Sequence, residues 1–149
     1  TMARLFELKN IVGVKDATGD LNRAEQQQKI MGDKFIMLTG EDANALEFNK
    51  KGGRGCISVT ANVAAKLCSE MQSASLTRDD LKLQKKAEDI YKLLTPLNKS
   101  LFIESNPSPV KYAASLLKLS TDDVRLPLVK ITDPTKSAVE QALKYAHLI

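Results

Sequence analysis

The residue with the clearest chemical potential is Lys15, which closes a short apolar run in "NIVGVKDATGD", residues 10–20. A strand interior rarely takes a lysine, because the ammonium group is almost never fully buried unpaired. One reading leaves Lys15 as a surface charge just past a strand end. The other makes it a nucleophile. An amine held away from water loses part of its preference for the charged form, and the neutral amine attacks a ketone carbon to form an imine. Other chemistry finds little support. Cys56 and Cys68 lack metal-ligand spacing, and the single histidine, His147, sits at the extreme C-terminus. A zinc site or a histidine-based triad is therefore not expected.

The elements that must position Lys15 are read from the pattern around it. "KNIVGVKDA" is short, β-branched and apolar, as a strand should be. On a period of two, Ile11, Gly13, Lys15 and Ala17 share one face. Gly13 leaves room beside the amine. "TGDLNRAEQQQKIM" reads as a helix with Asp20 or Thr18 near its N-cap, ended by Gly32-Asp33. "KFIMLTGED" is a second strand, followed by a short helix in "ANALEFNKK", capped by Asp42 and closed by Gly52-Gly53. "GCISVTANV" is a third strand, and "AAKLCSEMQSAS" continues as helix.

Strands and helices that alternate every ~20 residues predict βαβ units and a parallel sheet. The strands turn polar at their C-terminal ends, in "KDATGD", "TGED" and "SVTAN". In α/β barrels and open α/β sheets that end carries the chemistry, so the polar residues point to one rim. After residue 75 the pattern is helical only. Thr77 with Asp80 resembles a capping box opening "RDDLKLQKKAEDIYKLLTPL". A proline-punctuated loop, "FIESNPSPVKYA", leads into a helix near 109–118. Asp133 and Pro134 open the last helix. The expected organisation is an α/β part over residues 1–74 and a helical part over 75–149.

Composition narrows the partners. The chain has 149 residues and a net charge of +4, with its 22 Lys and Arg scattered and aromatics at 5%. Nucleic-acid binders concentrate basic charge and add stacking aromatics, so no nucleic acid is expected. No apolar run approaches the ~20 residues of a membrane span, and no signal-peptide pattern opens the sequence. Two unpatterned cysteines fit a reducing cytosol, so a cytoplasmic location is expected.

Three segments, "NIVGVKDATGDLNR", "LTGEDANALEFNKKGGRGCISVTANVAA" and "FIESNPSPVKYAASLLKLSTDDVRLPLVKITD", resemble the C-terminal half of the dihydrodipicolinate synthase family. That family lies among the pyruvate-dependent class I aldolases with N-acetylneuraminate lyase. The resemblance implies the last three strands of a TIM (β/α)8 barrel followed by a helical C-terminal appendage. It implies a lyase of lysine (diaminopimelate) biosynthesis that condenses pyruvate with aspartate-4-semialdehyde and needs no cofactor. By the same resemblance Lys15 forms the imine with pyruvate, Gly40 lies at the site rim, and the Ile57 carbonyl lies beside the bound pyruvate. Thr39, Ser58 and Thr60 are read as satisfying strand-end backbone groups, and Glu41 and Asp42 as helix caps. Asn106 and Pro107 are read as structural.

Family members are about twice this length. The lysine strand corresponds to their sixth, and their proton-relaying tyrosine and threonine lie in the other half. Three strands do not close a barrel, so Ile11, Met37 and Ile57 are expected to face water from its lumen side. The chain is then expected to work as a homo-oligomer or with the N-terminal half. Two alternatives stay open: a non-catalytic half-barrel remnant serving assembly, and a related pyruvate aldolase.

Overall fold

A computed structural model describes residues 1–149. It divides into two compact units, Thr1–Ser58 with Met71–Glu88, and Val59–Glu70 with Asp89–Ile149.

The first unit opens with a short helix, α1 (Met2–Phe6), followed by strand β1 (Gly13–Asp16), helix α2 (Leu21–Met31) and strand β2 (Ile36–Thr39). Asp20 caps α2 by accepting a hydrogen bond from the Asn22 N–H, and Gly32, at φ +68°, ends it. Such a φ is cheap only for glycine, which explains the sharp stop before β2. The strands pair in parallel, with Val14 opposite Met37, Lys15 opposite Leu38 and Asp16 opposite Thr39.

This register decides which side chains share a face. Val14 and Met37 face α2, where Met37 is buried with Ala24, Met31, Phe35 and Phe48. Phe6 of α1 meets Phe35 edge-on, with ring centroids 5.1 Å apart, an arrangement that aromatic quadrupoles favour. Lys15 and Leu38 occupy the opposite face. The expectation that Ile11 and Met37 face water is thereby corrected. Met37 belongs to the helix-side core, and Ile11, which precedes the strand and escapes its alternation, packs against the same cluster. Ile57 alone of the three is exposed, at 51%.

The third strand is much shorter than its apolar sequence suggests. It survives as one parallel bridge, Cys56 to Thr39. Three backbone bonds hold it to β2: Arg54 N–H to the Met37 carbonyl, Thr39 N–H to the Gly55 carbonyl, and Ile57 N–H to the Thr39 carbonyl. Gly55 brings no side chain to pack and weakens the strand from within.

A 3-10 turn (Asp42–Asn44) and helix α3 (Ala45–Lys50) follow β2. Of the two expected caps, Glu41 caps the 3-10 turn by accepting from the Ala43 N–H, whereas Asp42 lies inside the turn and α3 follows Asn44 with no side-chain cap. Two longer helices come next, α4 (Ala61–Leu76), kinked at Ala64, and α5 (Leu81–Ser100); each contributes one end to each unit. Within the first unit, buried Asn49 donates to Gln72 Oε1 and Ser75 Oγ, and Arg78 donates to its carbonyl. Asp80, not Thr77, caps α5 by accepting from the Lys82 and Leu83 N–H groups. The Thr77 hydroxyl instead donates back to the Ser73 carbonyl.

In the second unit, the remainder of α4 and α5 is joined by α6 (Ser108–Leu116) and α7 (Asp133–Tyr145). Its buried apolar residues include Leu94, Leu97, Leu101, Val139 and Leu143. The Tyr112 hydroxyl donates to Glu140 Oε1 at 2.6 Å and ties α6 to α7. The last helix starts one residue early, with Thr132 at the cap position, its N–H and hydroxyl both donating to Glu104. No helix of either unit is long and apolar enough to cross a membrane.

Candidate functional site

Lys15 is the penultimate residue of β1, and Gly40 directly follows β2. The Gly40 N–H donates to the Asp16 carbonyl at 2.7 Å, which extends the ladder past the strand ends. This bond brings the Gly40 backbone under the Lys15 side chain. A Cβ added at residue 40 would lie 2.6 Å from Lys15 Cε, 3.5 Å from Nζ and 2.9 Å from Ala17 Cβ. The bare α-carbon is therefore what lets the lysine lie across the strand ends. Gly13 plays a different part. A Cβ there would lie 2.3 Å from the Ile36 carbonyl oxygen, so glycine serves the close approach of β1 to β2 rather than space beside the amine.

Lys15 is exposed rather than buried. Two strands and a bridge form one wall, on which Ile36 and Ile57 are exposed as well and Leu38 is half-buried. Ile57 sits on the far side of β2 from Lys15, held through its N–H to the Thr39 carbonyl at 2.8 Å. Lys15, Gly40 and Ile57 thus gather at the C-terminal ends of adjacent parallel segments.

The residue after the lysine carries the densest polar network here. Asp16 is 9% exposed and points to the helix side, opposite Lys15. Its carboxylate accepts from the Thr18 N–H at 2.9 Å, the Thr18 hydroxyl at 2.6 Å and Arg23 Nε at 2.8 Å. Burial pushes the Asp16 carboxyl up, but the bonds from Thr18 and Arg23 outweigh it and hold it below its usual value. Neither Asp16 nor Arg23 stood out in the sequence reading. The signal was an acidic residue beside a strand-end lysine, with an arginine seven positions on in the first turns of a helix.

The remaining polar residues at the rim have structural partners. Buried Thr39 donates to Asn44 Oδ1 and accepts from the Glu41 N–H. Ser58 donates through a short bond to Asp42 Oδ1, and Cys56 Sγ lies 3.9 Å from the same oxygen. In the second unit Thr60 donates to Asn98 Oδ1 at 2.7 Å. These are side-chain partners as well as backbone ones, so the expected backbone-only role is too narrow. No group of three His, Cys, Asp or Glu side chains is placed to hold a metal ion.

The fold and this rim define a class: the closing strands of a parallel β/α barrel, with a lysine at a strand's C-terminal end and a helical region after it. The chain belongs to the dihydrodipicolinate synthetase family, whose model matches residues 1–146. It is 63% identical over 150 residues to a 4-hydroxy-tetrahydrodipicolinate synthase of Pelagibacter ubique, covering 100% of this chain and 50% of that protein. A synthase of the same name from Methylobacterium radiotolerans is 56% identical over 149 residues, covering 100% of this chain and 48% of the relative.

Solved structures agree. Dihydrodipicolinate synthase from Thermotoga maritima superposes with a TM-score of 0.92 at 32% identity, covering 99% of this chain and 50% of that one. The chloride-inhibited enzyme from Acinetobacter baumannii, complexed with pyruvate, gives a TM-score of 0.92 at 36% identity, with the same coverage. The chain spans about half the length of the curated relatives it matches.

Proposed function

We propose that this chain supplies the imine-forming half of a 4-hydroxy-tetrahydrodipicolinate synthase. Lys15 Nζ attacks the C2 ketone of pyruvate; a C–N bond forms and water leaves, giving a protonated imine. The imine draws electrons from the pyruvate methyl group, whose proton passes to a base on the complementary half. The resulting enamine carbon attacks the aldehyde of aspartate-4-semialdehyde, and the aldehyde oxygen takes up a proton; the amine of the same substrate then adds to the imine carbon, and the bond from that carbon to Lys15 Nζ breaks to free the lysine. Gly40 accommodates the lysine stem, and the Ile57 carbonyl borders the bound ketoacid.

The observation that carries this reading is the Lys15 side chain lying on the Gly40 backbone at the C-terminal ends of two paired parallel strands. In β/α barrels that end is where reacting groups are presented. The open face beside it, with Ile36 and Ile57 exposed, is the surface that the complementary half covers. Covering this wall also desolvates the lysine, as imine chemistry requires. The cytoplasm, where the substrates' biosynthetic setting lies, is the compartment this reading assigns.

The test co-expresses the chain with the N-terminal half of the Pelagibacter ubique relative and treats the purified complex with pyruvate and borohydride. Peptide mass analysis is expected to find a carboxyethyl group on Lys15 in the parent and none in Lys15→Arg. A folded complex without that adduct overturns the proposal.

A further inference from the structure

The Asp16 network is larger than a strand end needs. Every bond that leaves it fixes the residue directly after Lys15. The carboxylate receives Thr18 N–H, Thr18 Oγ1 and Arg23 Nε, while the carbonyl of the same residue receives the Gly40 N–H. Asp16 is thus held from α2 on one side and from the end of β2 on the other. Adjacent strand residues point to opposite faces. Anchoring the Asp16 side chain on the helix face therefore fixes the direction in which the Lys15 side chain leaves the other.

Arg23 is the longest-range member of this network. It reaches back seven residues from α2, and the ion pair joins a 45% exposed guanidinium to a carboxylate side chain only 7% exposed. Without Arg23 the buried carboxylate keeps its charge with two Thr18 donors alone. The β1–α2 turn, which passes through Gly19 at φ +75°, then loses its only side-chain tie to the helix body among these bonds. The turn gains freedom at the position that aims the lysine.

We infer that Arg23, acting through Asp16 and Thr18, is a positioning residue that aims Lys15 across Gly40 for attack on the ketoacid. The inference rests on the imine reading of Lys15. It assigns no contact between Arg23 and substrate. A small misplacement of a reacting group costs rate far more than it costs binding, so the effect belongs in the imine-forming step.

The test follows borohydride trapping in the co-expressed complex as a function of pyruvate, per folded molecule as judged by circular dichroism. Arg23→Gln is expected to lower the saturating trapping rate about tenfold, with half-saturating pyruvate unchanged within about twofold. Arg23→Lys, which restores a cation, is expected to recover at least half of the rate. Thr18→Ala removes the hydroxyl's bond to Asp16 and the one it accepts from the Asp20 N–H, and keeps the ion pair; it serves if Arg23→Gln does not fold, with an expected fall of about threefold.

A merely structural role lowers the folded fraction and leaves the rate per folded molecule intact. A saturating rate within about twofold of the parent in the folded variant overturns the inference. Absence of the adduct from the parent protein overturns the imine reading itself, and this inference with it.

Discussion

Lys15 lies directly against the backbone of Gly40, close enough that a β-carbon at residue 40 would sit 2.6 Å from Lys15 Cε. Lys15 Cε is near the end of a flexible side chain and can swing away, but Ala17 Cβ, at 2.9 Å, moves only with its backbone. Gly40→Ala is therefore expected to cost about 1–2 kcal/mol of folding stability by urea titration. Pyruvate trapping on Lys15 in the co-expressed complex is expected to fall at least about tenfold, because the amine is pushed off its line. Trapping at the parent rate would show that the contact does not matter to the chemistry.

Gly13→Ala makes the opposite prediction. Its β-carbon would meet the Ile36 carbonyl oxygen at 2.3 Å and the Ile36 carbonyl carbon at 3.0 Å, both backbone atoms. The strands have to separate to admit it, at a cost of about 1–3 kcal/mol. Urea titration is expected to give a lower midpoint than in Gly40→Ala. Equal midpoints in the two variants would contradict this account.

The Asp16 carboxyl provides a pH signature. Its folded value lies below the ordinary 3.8 because hydrogen bonds from Thr18 and Arg23 outweigh the burial that pushes it up. A depressed folded value stabilises the native state above the unfolded value and loses that contribution as pH falls through the folded one. Urea titrations at steps from pH 6 down to about 3 are expected to show a steeper loss of stability in the parent than in Asp16→Asn. Parallel pH curves would indicate that the network does not hold the charged form.

In the second unit, the Tyr112 hydroxyl is expected to ionise late. Its bond to Glu140 comes first among the causes, with burial next, and pushes the phenol from 10.0 up to about 12. A raised folded value stabilises the native state fully below pH 10 and loses that contribution as pH rises through about 12. Ultraviolet titration of phenolate is expected to lose a step near pH 12 in Tyr112→Phe. The same variant is expected to lose about 1 kcal/mol at neutral pH, from one hydrogen bond between α6 and α7.

Much of the local architecture was legible along the chain. Asp20 and Gly32 bound α2 as their capping chemistry requires, since a carboxylate satisfies an orphan N–H and glycine tolerates a positive φ. The parallel pairing of "VGVKD" with "IMLTG" followed from short apolar runs separated by an amphipathic helix. Cap positions were less legible: of the expected pair Glu41 caps the 3-10 turn while Asp42 lies inside it, and Asp80 caps α5 in place of Thr77. Several neighbouring oxygens can reach the same N–H groups, and only the path of the turn selects one.

The third strand failed for another reason. "GCISVTANV" has the composition of a strand, but a ladder needs neighbours, and here Cys56 pairs with Thr39 alone while Gly55 brings no side chain to the segment. Asp16 and Arg23 were missed because their interaction joins a strand end to a helix across a turn. Neither residue type nor spacing marks such a pair until the turn's path is known.

The sequence by itself determined the two paired strands and the longer helices, the polarity of the strands' C-terminal rim and the presence of Lys15 upon it, because alternation and capping are local properties. The tertiary structure decided the rest. Register placed Leu38 rather than Met37 on the lysine's face, and the bond from Gly40 to the Asp16 carbonyl set a bare α-carbon beneath the amine. It also showed Lys15 open to solvent, because burying an amine takes walls on more than one side. Contacts between distant segments have no period along the chain, so these relationships exist only once the strands have been laid side by side.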